Sequence, residues 1–275
     1  MKQLAAHQRR ECRGYKPDGP NVQKRDFAHL RATFAASLPT AVDLRAFAPD
    51  VFDQGQTGSC TGHAIGGAVT CALAKAEMPL GFVASPDFIY KLERCLERVS
   101  REPLTDSGAM PDDGIRAISR YGVVRMRGPT SDGRNSDVEL DGVNDEPDFG
   151  SFEAGAKKLI VGAYAILSTG KQRARDVAWA LAHGFTVPVA VSASNDTWQG
   201  WEPSDGPLGA QHPVELDHYV YIVGYRMDAE GNFTFIIRNS WGTEWGDGGD
   251  IETTEAFLDQ CGDLYAMQIT TEEAA

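Results

Sequence analysis

Three side chains in this sequence, Cys60, His218 and Asn239, have the types and order that could do covalent chemistry. Cys60 closes the run Asp53-Gln54-Gly55-Gln56-Thr57-Gly58-Ser59-Cys60. The small, apolar stretch from Thr61 to Lys75 predicts a helix that stops at Met78-Pro79. A cysteine in the first turn of a helix meets unpaired N–H groups and the positive end of the helix dipole, and both stabilise a thiolate. Such a thiol is expected to be ionised near neutral pH, where a free cysteine is mostly protonated. The competing reading of a lone cysteine is a small buried hydrophobe.

A nucleophilic thiol needs a base, and the base needs a third group to hold it. Leu216-Asp217-His218-Tyr219-Val220-Tyr221-Ile222-Val223-Gly224-Tyr225 reads as a strand with His218 near its start. Phe233 to Arg238 reads as a second strand with Asn239 at its end, followed by the Trp/Gly-rich turn Ser240-Trp241-Gly242-Thr243-Glu244-Trp245-Gly246. The short connection from Met227 to Asn232 makes the two an antiparallel hairpin, which can bring His218 and Asn239 side by side. A histidine on a strand is otherwise more often structural than catalytic.

The order Cys, His, Asn, with separations of 158 and 21 residues, matches the papain-type arrangement rather than the caspase one. With Gln54 to Gly62 around the thiol, the His218 strand and Asn239-Ser240-Trp241-Gly242, the chain resembles the papain-like cysteine peptidases of the C1 type, in a compact, bacterial-style version. The stretch Ser107 to Ile118 resembles the family's substrate-binding loop and the helix after it. The resemblance spans roughly residues 38 to 270, the size of one two-lobed domain. It implies an α+β fold: a helical lobe carrying the nucleophile helix, about 45–125, against a β-barrel-like lobe, about 126–275. Residues 1–37 precede this domain as a basic, poorly structured arm.

The resemblance also implies roles. Cys60 would attack the scissile carbonyl, and His218 would take the thiol proton and later protonate the leaving amine. Asn239 would orient the imidazole, with Trp241 shielding that hydrogen bond from water. Gln54 and the Cys60 backbone N–H would hold the oxyanion. Gly108 would pair with the substrate backbone, or form a tight turn before a helix. Ala109 replaces or displaces the family's second glycine, so the register there is open by one residue. Ala190 and Met110 would line the specificity pocket. No metal or cofactor is implied. Gln54 as a plain turn residue, and Trp241 and Trp245 as core aromatics, are the blander readings.

Departures from the pattern are informative. Thr57 stands where animal and plant relatives have a cysteine, so their bridge there cannot form. Thr61 replaces the usual tryptophan after the nucleophile. His63 lies three residues beyond Cys60, on roughly the same helix face, where a buried wall is the expected role. Asp217 points to the face opposite His218 and is not expected to orient it.

The net charge of −13 disfavours nucleic acid as a partner, since phosphate binding needs a basic footprint. Residues 1–50 carry nine Lys and Arg against five Asp and Glu, whereas residues 194–275 carry two against sixteen. That acidic lobe is read as a solubilising surface, or as a field steering basic substrates toward the cleft. Cysteines 12, 60, 71, 95 and 261 form no CxxC pair. With Cys71 and Cys95 expected as buried thiols, this argues for a reducing compartment. Met1 to Cys12 lacks the apolar core of a secretory signal, and no apolar run reaches a membrane span. A cytoplasmic protein with no membrane partner is expected, with signal-independent export left open.

The arm is shorter than the family's helical inhibitory segment, which leaves two readings: an enzyme active as made, or an arm that still covers part of the cleft. Helices are expected at Pro86 to about Arg98, Pro111–Tyr121 and Gln172–His183. Strands are expected within 38–45 and at 159–167, 186–194, 217–226, 233–238 and 264–270. A surface crossover (125–155) and a loop (195–213) complete the chain. The function expected first is a cysteine endopeptidase acting on protein or peptide substrates through a thioester. An acyl-transferase or ligase, a side-chain deamidase and a non-catalytic binding relative are the alternatives. A protein inhibitor or immunity partner belongs to the reading as a delivered effector.

Overall fold

The computed structural model describes residues 9, 10, 12, 14–20, 22–32, 37–99, 101–147, 150 and 156–271. The expectations for residues 1–8, for 151–155 within the crossover and for the last four residues lie outside these.

The helical lobe is built from α2 (Cys60–Lys75), α3 (Pro86–Glu97) and α4 (Pro111–Tyr121), after a short α1 (Phe27–Arg31) in the arm. Ser85 starts α3 by accepting a hydrogen bond from the Phe88 N–H at 3.0 Å, and Pro86 follows at the first helical position, where no N–H is missed. Gly122 ends α4 at φ 80°, a conformation that costs glycine nothing. Helix α2 is small-residue rich because it is enclosed. A Cβ on Gly62 would meet the Pro86 carbonyl at 2.6 Å, and one on Gly67 would meet the Tyr221 ring at 2.7 Å. The helix is therefore wedged between α3 and the sheet.

The second lobe holds β1 (Ala41–Asp43), β2 (Leu159–Ala165), α5 (Gly170–Ala182), β3 (Val187–Val191), α6 (Asp196–Gln199), β4 (His218–Met227), β5 (Phe233–Arg238), β6 (Asp250–Thr254), α7 (Glu255–Asp259) and β7 (Tyr265–Thr271). The ten-residue β4 is its spine. It pairs antiparallel with β3 from His218 to Ile222, with β1 from Gly224 to Arg226, and with β5 on its other side, which continues to β6. Strands β2 and β7 form a separate antiparallel pair, joined to β3 by single bridges at Thr186–Met267 and Ala190–Gly262. The strands do not close, so the barrel-like lobe expected from the resemblance is an open sheet with a two-stranded partner.

Strand β6 was not expected, because Asp250-Ile251-Glu252-Thr253-Thr254 reads as polar. Its Asp250 is buried in an ion pair with Arg238 at 2.8 Å, and Ile251 and Thr253 fill the inner face. The crossover is likewise more than surface. Val138 and Ser136 are fully buried, and Asp137 accepts from the Ser85 hydroxyl at 2.6 Å and the Asp87 N–H at 3.0 Å. The loop between the lobes thereby caps α3. All five cysteines are free thiols, and Cys95 is half-buried rather than enclosed as Cys71 is.

Candidate active site

His218 opens β4, and Asn239 follows the last residue of β5. The Tyr221–Arg238 pairing brings both to one end of the hairpin, where His218 Nε2 lies 2.7 Å from Asn239 Oδ1. Asn239 Oδ1 also accepts the Ser240 N–H at 2.8 Å, so it is fixed as an acceptor and His218 Nε2 as the donor. This tautomer leaves Nδ1 as the acceptor nitrogen. The Trp241 ring stands 5.0 Å from the imidazole, backed edge-on by Trp245 at 5.4 Å. Both His218 and Asn239 are buried, and water is held off their hydrogen bond.

Cys60 is the first residue of α2, and the loop before it is laced to the same turn. The Gln54 N–H donates to the Ser240 carbonyl at 2.9 Å, and Gln54 Oε1 accepts from the Ser240 hydroxyl at 2.5 Å. Gln54 Nε2 spends one proton on the Thr57 carbonyl at 2.8 Å, and its second remains. Asp53 bridges to Trp241, and the Gly242 N–H donates to the Phe52 carbonyl at 2.8 Å. Residues 52–54 and 239–242 thus form one rigid wall carrying Gln54, Asn239 and Trp241.

Over Cys60 lies the arm. A Cβ on Gly14 would fall 2.5 Å from the Cys60 sulfur, and the Gly14 carbonyl accepts the Ala109 N–H at 3.0 Å. Tyr15 pairs with Ala109 in a parallel bridge, and the Lys16 N–H donates to the Ala109 carbonyl at 3.0 Å. The edge that takes a strand is therefore Ala109, one residue beyond the expected Gly108. Gly108 sits at φ 74° and turns its N–H inward to the Tyr90 hydroxyl at 3.0 Å. The arm thus covers the nucleophile, the course the sequence left open, and Cys60 is fully buried.

Burial works against the expected ionisation of Cys60 in this covered state. Desolvation drives the thiol well above its ordinary value, against the lowering effect of the Tyr219 and Thr61 backbone groups. The His218 imidazole is pushed down to about 4 by the same desolvation, which its bond to Asn239 only partly opposes. In this covered state burial therefore favours the neutral form of each group.

His63, the other histidine on the nucleophile helix, has both nitrogens engaged: Nδ1 with the Ser59 carbonyl at 2.9 Å and Nε2 with the Ser136 hydroxyl at 2.8 Å. It is a structural strut. Asp217 accepts from the Ala193 and Ser194 N–H groups at 2.8 and 3.1 Å and turns away from His218. Ala190 is fully buried in the core cluster that holds Tyr15 and Cys60, whereas the Met110 N–H is bonded to Glu97 at 2.6 Å. Two residues near the site carry no signal in the sequence: the buried Glu93 that accepts from Thr61 at 2.6 Å, and Asp263. Neither belongs to a motif, and only the fold brings them close. Among the described residues no group of three or more His, Cys, Asp or Glu side chains could hold a metal ion. Among the described residues no helix is long and apolar enough to cross a membrane.

A lobed α+β frame with a cysteine at a helix start and a histidine–asparagine pair at one end of a β-hairpin is papain-like. The family model described as papain family cysteine protease matches residues 137–270. A peptidase C1-like protein of Acanthamoeba polyphaga mimivirus is 31% identical over 202 residues, covering 70% of this chain and 60% of its own. A cathepsin L-like peptidase of Aedes aegypti is 25% identical over 228 residues, 82% of this chain and 61% of its own. The chain thus spans less than two thirds of either relative. Among solved structures, xylellain, a cysteine protease from Xylella fastidiosa, superposes with a TM-score of 0.66 at 23% identity, over 97% of this chain and 99% of that one. A digestive procathepsin L of Tenebrio molitor gives 0.64 at 21% identity, over 94% of this chain and 76% of that one. The C-terminal half of the chain is thus similar to the papain family cysteine proteases, and the fold is papain-like.

Proposed function

We propose that the protein is a cysteine endopeptidase whose chemistry runs through Cys60, His218 and Asn239, with Gln54 in the oxyanion hole. The observation that carries the reading is the 2.7 Å bond between His218 Nε2 and Asn239 Oδ1, which leaves Nδ1 as the base. Once the arm is off the sulfur and water reaches the pair, the desolvation that favours both neutral forms falls away. The proton then passes from the thiol to Nδ1, and the helix N-terminus supports the thiolate.

The thiolate adds to the scissile carbonyl, and the carbonyl oxygen takes up the negative charge. The Cys60 backbone N–H and the second Gln54 amide proton would hold it, each such donor being worth about 2.7–4 kcal/mol of transition-state stabilisation. The imidazolium passes its proton to the leaving amine as the C–N bond breaks, leaving a thioester. Water, deprotonated by Nδ1, cleaves the thioester and restores the thiol. Relatives named as peptidases and cysteine proteases support the same reading.

The test is a complex protein lysate incubated with the wild type and with Cys60→Ala, reading new N-termini and unit mass changes. New termini found only with the wild type support a peptidase. Amide-to-acid changes or new isopeptide links without new termini would replace it with a deamidase or a transferase on the same thioester.

A further inference from the structure

Asp263 stands in the loop before β7, at φ 38°, with its own carbonyl accepting from the Tyr219 hydroxyl at 3.0 Å. Its carboxylate is little exposed. Every hydrogen bond to that carboxylate among the described residues comes from the arm: the Tyr15 hydroxyl at 2.6 Å, the Asp18 N–H at 3.0 Å and the Lys24 ammonium at 2.6 Å. Tyr15 reaches it through a slot in which its ring stacks on Tyr219 at 5.9 Å, in the same apolar cluster as Cys60, Ala190 and Met267. Tyr15 is also the residue next to Gly14, which covers the sulfur, and it lies opposite Ala109.

When the arm leaves, this slot opens one residue from the sulfur, apolar along its walls and with a carboxylate at its end that has lost its three donors. An uncompensated, poorly solvated carboxylate is costly, and a cation or a strong donor restores its pairing. We infer that Asp263 sets the enzyme's preference, selecting a substrate residue whose long apolar stem ends in a cationic donor, lysine or arginine, with tyrosine next. The arm shows both chemistries already on this carboxylate, an ammonium from Lys24 and a phenol from Tyr15. The inference rests on Cys60 marking the active site, and it adds the side chain that the site chooses.

The test uses the full chain and peptides of one sequence in which each position in turn is Lys, Arg, Tyr, Leu or Phe. Binding is read by calorimetry on Cys60→Ser and on Cys60→Ser with Asp263→Asn. Asparagine keeps the size of aspartate and tolerates positive φ. The arm competes with all peptides alike, so the readout is a ratio. At one position Lys or Arg is expected to bind about tenfold or more tighter than Leu, the fold-change of a charge-assisted hydrogen bond. Asp263→Asn brings that ratio near one, and Asp263→Glu keeps it. A ratio that survives Asp263→Asn, or no binding preference at any position, overturns the inference. Cleavage of the same peptides by the wild type separates the two claims. Selective binding without cleavage overturns the peptidase reading alone, and cleavage indifferent to the side chain overturns the role of Asp263 alone.

Discussion

Gly14 and Cys60 are packed so closely that no side chain fits between them: a Cβ on the glycine would fall 2.5 Å from the sulfur and 2.5 Å from the Gly58 carbonyl. The arm crosses the nucleophile at the one point where a residue without a side chain is required. The chemistry described above therefore starts with the arm moving, and the neutral forms that burial favours for Cys60 and His218 belong to the closed state.

Gly14→Ala should loosen the arm, because the clash involves a backbone carbonyl that cannot step aside. We expect Cys60 to be alkylated by a small neutral reagent about tenfold faster or more than in the wild type, a change of ~1.4 kcal/mol in the opening equilibrium. Labelling followed by mass spectrometry of the Cys60 and Cys71 peptides gives the answer. Equal Cys60 rates in the two proteins would mean that the arm does not limit access.

Ion pairs hold the arm to the domain: Arg10 to Asp53 at 3.1 Å, Lys16 to Glu97 at 2.6 Å and Lys24 to Asp263 at 2.6 Å. The charge imbalance read from the sequence, a basic start and an acidic end, is thus satisfied in part within the chain itself. Pairs with one partner at the surface are partly screened by salt, and exposed ones are worth about 0.2–1 kcal/mol each. Cys60 labelling by the neutral reagent should accelerate several-fold as ionic strength rises, and Lys24→Gln should remove part of that salt dependence. A rate that falls with salt, or does not move, argues against an electrostatic clasp.

The triad assignment separates groups that move protons from the one that orients. Asn239→Ala should leave partial activity, lowered about 10–100-fold for one buried hydrogen bond of roughly 1–3 kcal/mol. His218→Ala should approach the level of Cys60→Ala. Kinetics of the three variants on one peptide substrate decide it, and equal losses from Asn239→Ala and Cys60→Ala would give Asn239 a larger part.

How far the fold was legible follows from where the information lies. Pro111 and Gly122 bound α4 because proline and glycine act locally, through φ, and the Phe233–Arg238 strand alternates cleanly. Strand β6 was hidden because Asp250 is buried by Arg238, a partner that the local pattern cannot show. At the site, Cys60, His218, Asn239 and Gln54 could be picked out from order and motif. The shift from Gly108 to Ala109 could not, since it depends on the Tyr90 hydroxyl eighteen residues away taking the glycine N–H. The arm's course was equally invisible, because its partners Asp53, Glu97 and Asp263 are scattered over the whole chain.

Acid should weaken the closed state through two histidines. His63 and His218 are both pushed down to about 4 by burial, against an ordinary value of 6.5. Between those values the unfolded chain binds protons that the folded chain refuses, so stability rises with pH across that window. The contribution is complete above pH 6.5 and is lost as pH falls toward 4, by about 3 kcal/mol for each histidine. Asp113, raised to about 6 mainly by desolvation, works in the opposite direction: its favoured state is protonated, so acidification helps it. The buried carboxyls of Glu93 and Asp87, also raised by desolvation, act in the same direction as Asp113. Urea unfolding of the wild type and of His63→Gln at pH 7 and pH 5 isolates the histidine effect from these carboxyls. The wild type should lose more stability than His63→Gln on going from pH 7 to pH 5. Equal changes in the two proteins would show that the His63 imidazole is not held neutral by the fold.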